Sequence, residues 1–450
     1  MEKGNKRIIR GWVFYDWANS VYNLVISSAI FPIYYEAQTK SAFLAKHTAY
    51  GDTLPDNVTV TVDFFGAQVS SSVLFSYVLS ASFLVVTFLS PMLSGVADVS
   101  GNKKRFLQFF CYMGAFACMT LAFFDVNRLE LSMVSVFLAS IGFWNSLVFY
   151  NAYLPEIAEP KDHDKISARG FTMGYVGSMV LLIICLVLIK GFDVPAEYCF
   201  VLVGVWWIFF SQFTYRVLPH NVYNRPKEKG ILWKGFKELK LVFKEFRRTV
   251  RLKRYLRAFF FFNTGVQTVM LLATLFANKE IDWPIDPETG QQDSSGLIIA
   301  ILLIQILGAL GAFLMSRLSG KIGNIKTLGI SIVIWMLICC AGLVVRTPIE
   351  FYIMASCVGL VMGGVQALAR STYSKFLPET QDHASYFSFY DATEKIGIVI
   401  GTFSFGFLEA VMGSIRYSVL SIAGFFVLGF ILLLFIPKQE TIKSNSHETK

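Results

Sequence analysis

The chain has 450 residues, of which 54% are hydrophobic and only 16% charged, and its mean hydropathy is +0.54. A soluble protein of this length ordinarily carries about a quarter charged residues, so the composition excludes an ordinary water-soluble globular protein. The net charge of +9 is confined to segments between apolar blocks, which points to membrane-flanking cations and away from nucleic acid.

The apolar blocks are long enough to cross a bilayer, which takes roughly 20 residues at about 1.5 Å of helical rise each. Twelve transmembrane spans are predicted, at about 11–36, 70–97, 106–124, 131–153, 167–190, 197–216, 255–278, 295–318, 327–345, 349–374, 385–409 and 416–436. The first follows Arg7 and Arg10, is too long for a signal-peptide core, and is read as a retained span. The fold class is therefore an all-α membrane protein.

Within the first span, Asp16 lies six residues past Arg10, and Asn19 and Asn23 follow at steps of three and four. That spacing puts all three on one helix face. Polar side chains in a span must face the bundle interior or a water-filled cavity, so the three define an inward stripe. Asp16 is a candidate proton carrier, with a structural ion pair or helix cap as the plainer reading.

The turn after the second span reads Gly95-Val-Ala-Asp98-Val-Ser-Gly101-Asn-Lys103-Lys104-Arg105. Asp98, Lys103 and Lys104 are candidate gating residues, since a carboxylate beside helix ends and cations can be paired in one conformation and released in another. The matching turn of the second half, Ser319 to Lys326, has no aspartate. Asp162-His163-Asp164 and Asp382-His383 occupy matching turns and read as solvated loop residues, not as metal ligands or an acid–base pair. Asn57-Val58-Thr59 is a glycosylation sequon in form.

Loop charge sets the orientation. Residues 216–257 hold fourteen Lys/Arg against Glu228, Glu238 and Glu245, whereas 279–294 hold Lys279 against five acids and 37–69 only Lys40 and Lys46. Both termini are thus expected in the cytoplasm. Leu232, Phe236, Leu239, Val242, Phe243 and Phe246 recur at helical steps, with lysines and arginines on the other face. Residues 218–254 are read as an amphipathic linker on anionic inner-leaflet lipids, with a solvated linker helix as the alternative.

Two halves repeat. Tyr150-Asn-Ala-Tyr-Leu-Pro-Glu156 closes the fourth span and Tyr373-Ser-Lys-Phe-Leu-Pro-Glu379, 223 residues later, closes the tenth. The expected organisation is a six-helix bundle over 1–217, the linker 218–254, a second bundle over 255–437, and a cytoplasmic tail 438–450. Related halves suit a rocking transporter with its solute site between them. The later half adds polar groups within spans: Asn263 and Gln267, Gln305, Gln366 and Arg370, and Asp391, Glu394 and Lys395, while Arg169 opens the fifth span. Arg370 in a span needs an acid, for which Asp16 and Asp391 are the candidates. Arg370, Arg169 and the Glu394–Lys395 pair also read as gate salt bridges at the cytoplasmic rim.

Gly95, Asp98, Gly101, Lys103 and Lys104 resemble the Gly-x-x-x-Asp-x-x-Gly-x-Arg/Lys-Arg/Lys loop of the major facilitator superfamily, one residue short between the glycine and the aspartate. Phe14-Tyr-Asp-Trp-Ala-Asn-Ser-Val-Tyr22 is similar to the Tyr-Asp-Trp-Ala-Asn-Ser-x-Tyr signature of its autophagy-related vacuolar effluxer-like branch, as are the Tyr150–Glu156 stretch and Ser167-Ala-Arg-Gly170. The resemblance implies a major facilitator fold of two pseudo-symmetric six-helix bundles, and amino-acid efflux in fungal members.

The sequence thus predicts a secondary transporter working by alternating access, possible proton coupling through Asp16, and no enzymatic activity. Asp16, Asn19, Asn23, Tyr150, Asn151, Asn263, Gln267, Gln366 and Arg370 are expected to bind solute or couple. Asp98, Lys103, Lys104, Arg169, Asp391, Glu394 and Lys395 are expected to gate. Neither cofactor nor metal is implied. The seven cysteines all lie in apolar blocks without a CxxC pair, which speaks against a disulfide framework. The partners are a small solute and the lipid bilayer, with no nucleic acid. The protein is expected as a monomer in a bacterial inner membrane. An amino acid leads as cargo because amides mixed with Arg and Asp suit a zwitterion; sugars, nucleosides and organic acids remain, as do a transporter-fold sensor and a membrane-embedded enzyme.

Overall fold

The computed structural model describes residues 3–47, 58–220, 231–284, 295–412 and 415–438. The sequon at Asn57, the acids Asp286, Glu288 and Asp293, and residues 439–450 of the tail lie outside them.

The chain opens with α1 (Lys6–Val21), which runs through a π-helical stretch, Tyr22–Ala29, into α2 (Ile30–Lys46). A hairpin of β1 (Thr61–Phe64) and β2 (Ala67–Ser70) follows. The first half continues with α3 (Ser71–Ser100), α4 (Lys103–Thr120), α5 (Leu129–Asn151), short α6 (Leu154–Ile157), α7 (His163–Phe192) and α8 (Glu197–Val217). After α9 (Ile231–Arg248) come α10 (Val250–Glu280), α11 (Ser295–Ile322), α12 (Asn324–Ala341), α13 (Pro348–Phe376), α14 (His383–Met412) and α15 (Ile415–Leu434). Ten of these helices are long and apolar enough to cross a membrane. The π-interrupted run from Lys6 to Lys46 and α14 fill the two remaining places in the expected order of spans.

Local chemistry explains many boundaries. Thr347 and Glu350 form a reciprocal capping box at the start of α13, with Pro348 in its first turn. The tight α3–α4 turn closes through Gly101 at φ +67°, a left-handed conformation that glycine adopts without steric cost, and Gly323 at φ +88° has the same place before α12. The hairpin was not expected from the sequence. Its register pairs Thr61 with Ser70 and Phe64 with Ala67, and Glu130 accepts a hydrogen bond from the Phe65 backbone N–H at 2.9 Å.

Small residues let the helices approach closely, which is how spans associate in lipid. A Cβ added at Gly359 of α13 would lie 2.7 Å from the Ile304 carbonyl of α11, and one at Gly142 of α5 would lie 2.5 Å from Gly114 of α4. In the first half α1 packs on α7 and α8, and α4 on α5 and α8; in the second, α10 packs on α15 and α14, and α11 on α13. The halves meet through α3 against α14 and through α7 against α11 and α13.

The linker forms an amphipathic helix, α9, which packs against α3 and α14. One expectation changes. The histidine turns are not solvated loops: His163, Asp164 and His383 are all buried, because the ends of α7 and α14 are pressed between the halves.

Candidate functional site

A cavity of about 1450 Å³, its open mouth included, lies between the halves. The inward stripe of the first helix forms one wall, since Asp16, Asn19 and Asn23 all line it. The π-helical stretch begins next to Asn23, and the Ser28 hydroxyl donates to the Asn23 carbonyl at 2.9 Å, one residue beyond the usual helical reach. Such stretches reorient side chains and recur at functional sites. Nothing in the local sequence signalled it.

The end of the cavity near Lys103, Lys104 and α9, here called the basic end, is closed by a buried pair. An Arg370 Nη2 lies 3.2 Å from Asp16 Oδ2. The same carboxylate oxygen accepts the Tyr150 hydroxyl at 2.8 Å. Arg370 also donates to Ser167 Oγ (2.9 Å), the Ser167 carbonyl (2.9 Å) and Asn151 Oδ1 (3.3 Å). Its guanidinium carbon sits 4.2 Å from the Phe171 ring centre and 4.9 Å from that of Trp12. Each of the three guanidinium nitrogens of this buried cation therefore has a partner, as burial of a charge requires. Of the two acids the sequence offered Arg370, the structure selects Asp16, because Asp391 pairs with Lys395 one turn along α14 at 3.1 Å.

Gly170 explains why the pair can form. A Cβ there would collide with the Asp16 carboxylate and come within 2.8 Å of an Arg370 Nη2. Ser167 and Gly170 thus do two jobs at one point of α7: one binds the guanidinium and the other leaves room for it.

A second polar group lines the cavity further from the basic end. Glu394 Oε1 accepts from Gln267 Nε2 at 2.6 Å and from Asn263 Nδ2 at 3.4 Å. Lys395 Nζ lies 3.2 Å from Glu394 and 3.3 Å from the centre of the Trp144 ring, a contact that crosses the halves. Gln366 Oε1 accepts from Tyr175 at 2.7 Å, and Gln305 Oε1 from Ser178 at 3.2 Å.

The structure gathers at this cavity Asp16, Asn19, Asn23, Asn151, Asn263, Gln267, Gln366 and Arg370, joined by Glu394 from the expected gate set. Tyr150 stands behind the wall and reaches it through Asp16. The sequence reading missed Trp144, Phe171, Tyr175, Ser178 and Tyr390. The steps of four, four and three from Ser167 through Phe171 and Tyr175 to Ser178 were a legible signal for one face of α7.

Nearer the basic end, two clusters join the halves. In the first, the Asp98 carboxylate accepts from the backbone N–H groups of Ala384 (3.2 Å) and Ser385 (2.7 Å), the open start of α14. Lys103 Nζ lies 3.4 Å from Asp98 and also pairs with Glu156; Glu156 is 3.1 Å from His383 Nδ1. In the second, Asp164 accepts from Lys375 (2.6 Å), Asn324 (2.7 Å) and Ser319 (2.9 Å). The aspartate missing from the Ser319–Lys326 turn is thus supplied from across the interface, by the helix the turn faces.

Two expected gate residues are placed elsewhere. Arg169 is exposed, turned from the interface by the same helical period that points Gly170 inward. Lys104 bonds the Leu218 carbonyl at 2.8 Å and so ties α4 to the end of α8 within one half. The polar contacts between the halves described above run from the Ser178–Gln305 pair to the clusters at the basic end.

The sequence matches, over residues 4–446, the family described as vacuole effluxer Atg22 like. It is 29% identical over 442 residues to the uncharacterized MFS-type transporter YxiO of Bacillus subtilis, covering 95% of this chain and 94% of that one. It is 24% identical over 494 residues to autophagy-related protein 22 of Saccharomyces cerevisiae, covering 95% and 90%. Among solved structures, the human organic anion transporter MFSD10 (TETRAN) superposes with a TM-score of 0.68 at 14% identity, covering 96% of this chain and 100% of that one. The major facilitator transporter FucP in its outward conformation superposes with a TM-score of 0.63 at 14% identity, covering 97% and 99%.

Proposed function

Since the chain belongs to the Atg22-like vacuole effluxer family of major facilitator transporters, we propose that this secondary transporter carries a small zwitterion, with an amino acid as the leading cargo, through the cavity between its halves. The observation that supports this is the pairing of opposite charges along one cavity: Glu394 at one level and the Arg370–Asp16 pair at the other. An ammonium group would meet Glu394 between Asn263 and Gln267. A carboxylate would compete with Asp16 for Arg370.

That competition suggests a coupling step. A solute carboxylate that takes over Arg370 leaves Asp16 with only the Tyr150 hydroxyl, so the Asp16 carboxyl would hold a proton while solute is bound. Proton and solute would then move together. Alternating access follows if the basic-end clusters release as the far end closes. Here the Asp98, Lys103, Glu156 and His383 cluster, the Asp164–Lys375 cluster, and Asp391 with Lys395 act as the gate. With the basic end placed in the cytoplasm by the positive-inside rule, the present arrangement is the outward-open state. We assign bundles to 1–217 and 255–437, one chain as the working unit, and a bacterial inner (plasma) membrane as its location.

The test is a thermal-stabilisation screen of the purified protein against amino acids, sugars, nucleosides and organic acids, followed by uptake of any hit in proteoliposomes. Stabilisation confined to sugars or to anions without an amine would overturn the cargo assignment. Unchanged pH-driven uptake in Asp16→Asn would end the coupling assignment.

A further inference from the structure

The linker helix α9 has three faces, and among the described residues one of them is exposed along its length. Gly235, Leu239, Val242 and Phe246 follow at steps of four, three and four and form the buried or half-buried face. This face crosses α3 at Gly95: a Cβ at Gly235 would lie 2.6 Å from the Val96 backbone nitrogen. It continues onto α14, where Phe246 and Phe243 lie 5.9 and 5.7 Å from the Phe389 ring and Glu245 accepts the Tyr386 hydroxyl at 3.0 Å. The crossing point is three residues before Asp98, and the α14 contact is within a turn of the N–H groups that Asp98 holds. A helix leading directly into the second half therefore grips the first half beside the gate.

The opposite face carries Lys237, Lys240, Lys244, Arg247 and Arg248, all exposed. Beside them Trp233 is 83% exposed, Phe236 55% and Phe243 47%. Glu238 and Glu245 are on the other flank, so this face is uniformly positive. A row of cations next to exposed aromatics, level with the end of a membrane-spanning helix, has the composition of a surface for anionic lipid headgroups, with the rings at the acyl boundary.

We propose that α9 is a clasp which holds the basic ends of α3 and α14 together, and that an anionic bilayer surface binds its outer face and tightens it. The clasp couples membrane charge to the position of the gate. Its inner face can pack only when α3 and α14 are adjacent, and binding to the outer face favours that docked state by mass action.

The experiment places spin labels at Arg105→Cys and Lys326→Cys, exposed positions at the basic ends of α4 and α12 in opposite halves, in a background with exposed Cys340 and Cys357 replaced. Distance distributions are compared in phosphatidylcholine vesicles with and without phosphatidylglycerol. The anionic lipid is expected to raise the ratio of short to long distances roughly tenfold. The triple variant Lys240→Gln/Lys244→Gln/Arg247→Gln is expected to keep the neutral-lipid distribution in both vesicles. Gly235→Val, which cannot dock, is expected to show the long distance in both, with the melting transition retained as the check on folding. Identical distributions in the two lipids, or a triple variant that responds like the parent, would overturn lipid control. An unchanged distribution in a folded Gly235→Val would overturn the clasp.

Discussion

The Arg370 guanidinium and the Asp16 carboxylate, 354 residues apart in the chain, stand 3.2 Å apart at the closed end of the cavity. Both side chains are buried, and Tyr150, Ser167 and Asn151 complete their hydrogen bonds. Their contact joins the first helix of one half to α13 of the other. It is therefore both a structural tie and a point that must loosen if the basic end opens.

Removing one member should cost more than removing both. Loss of one partner of a buried pair costs roughly 3–5 kcal/mol, because the survivor keeps its charge without compensation. Asp16→Ala and Arg370→Met are each expected to lower the melting transition in detergent, and the double variant to recover a large part of the loss. Additive losses would show that the two are not coupled.

Gly170→Ala should disrupt the same pair without touching its charges. The added methyl meets the Asp16 carboxylate and an Arg370 Nη2, and both belong to helices that cannot retreat freely. A loss of about 1–3 kcal/mol and most of the uptake is expected. Gly406→Ala in α14 is the control: nothing lies within 4 Å of its added Cβ, so stability should hold or rise by up to about 1 kcal/mol.

Asp98→Asn tests the gate apart from the cavity. The carboxylate sits on the open start of α14, where charge-assisted bonds to backbone N–H groups contribute about 1.5–3 kcal/mol. The variant should shift the population toward an open basic end, read as faster alkylation of a cysteine placed at Ser385. Solute-induced stabilisation should persist, since Asp98 does not line the cavity. Unchanged alkylation would remove Asp98 from the gate.

Glu394→Gln should separate binding from folding. Lys395 retains Asp391 at 3.1 Å, so the remaining cation stays paired and the melting transition should stay within about 1 kcal/mol of the parent. Stabilisation by an amine-bearing solute should fall at least tenfold in apparent affinity, the order expected when a charged hydrogen-bond partner is lost from a cavity. Retained affinity would place the amine elsewhere.

Much of the architecture was legible because its signals are local. Apolar blocks mark spans wherever they pack, and a polar residue every three or four positions marks a face of its own helix. Asp16, Asn19 and Asn23 were found in that way, as were Asn263 with Gln267 and Gln366 with Arg370. The reading failed where a residue's setting depended on another segment. His163 and His383 read as solvated because they flank short turns, yet the halves close over them. Arg169 read as a gate residue because it opens a span, but the way α7 is rotated against its neighbours leaves it exposed.

By itself, the sequence determined the all-α class, the related halves, the positions of the long helices and the inward stripe, since hydrophobic burial and helical periodicity act within one segment. Only the tertiary structure decided that Arg370 takes Asp16 and not Asp391, that Asp164 supplies the acid missing from the opposite turn, that the first helix carries a π stretch beside Asn23, and that the linker docks on α3. Periodicity says which residues share a face, but not how far that helix is rotated or slid against its neighbours. Those two quantities come from close packing at positions such as Gly95, Gly170 and Gly359, where a single methyl group decides the approach.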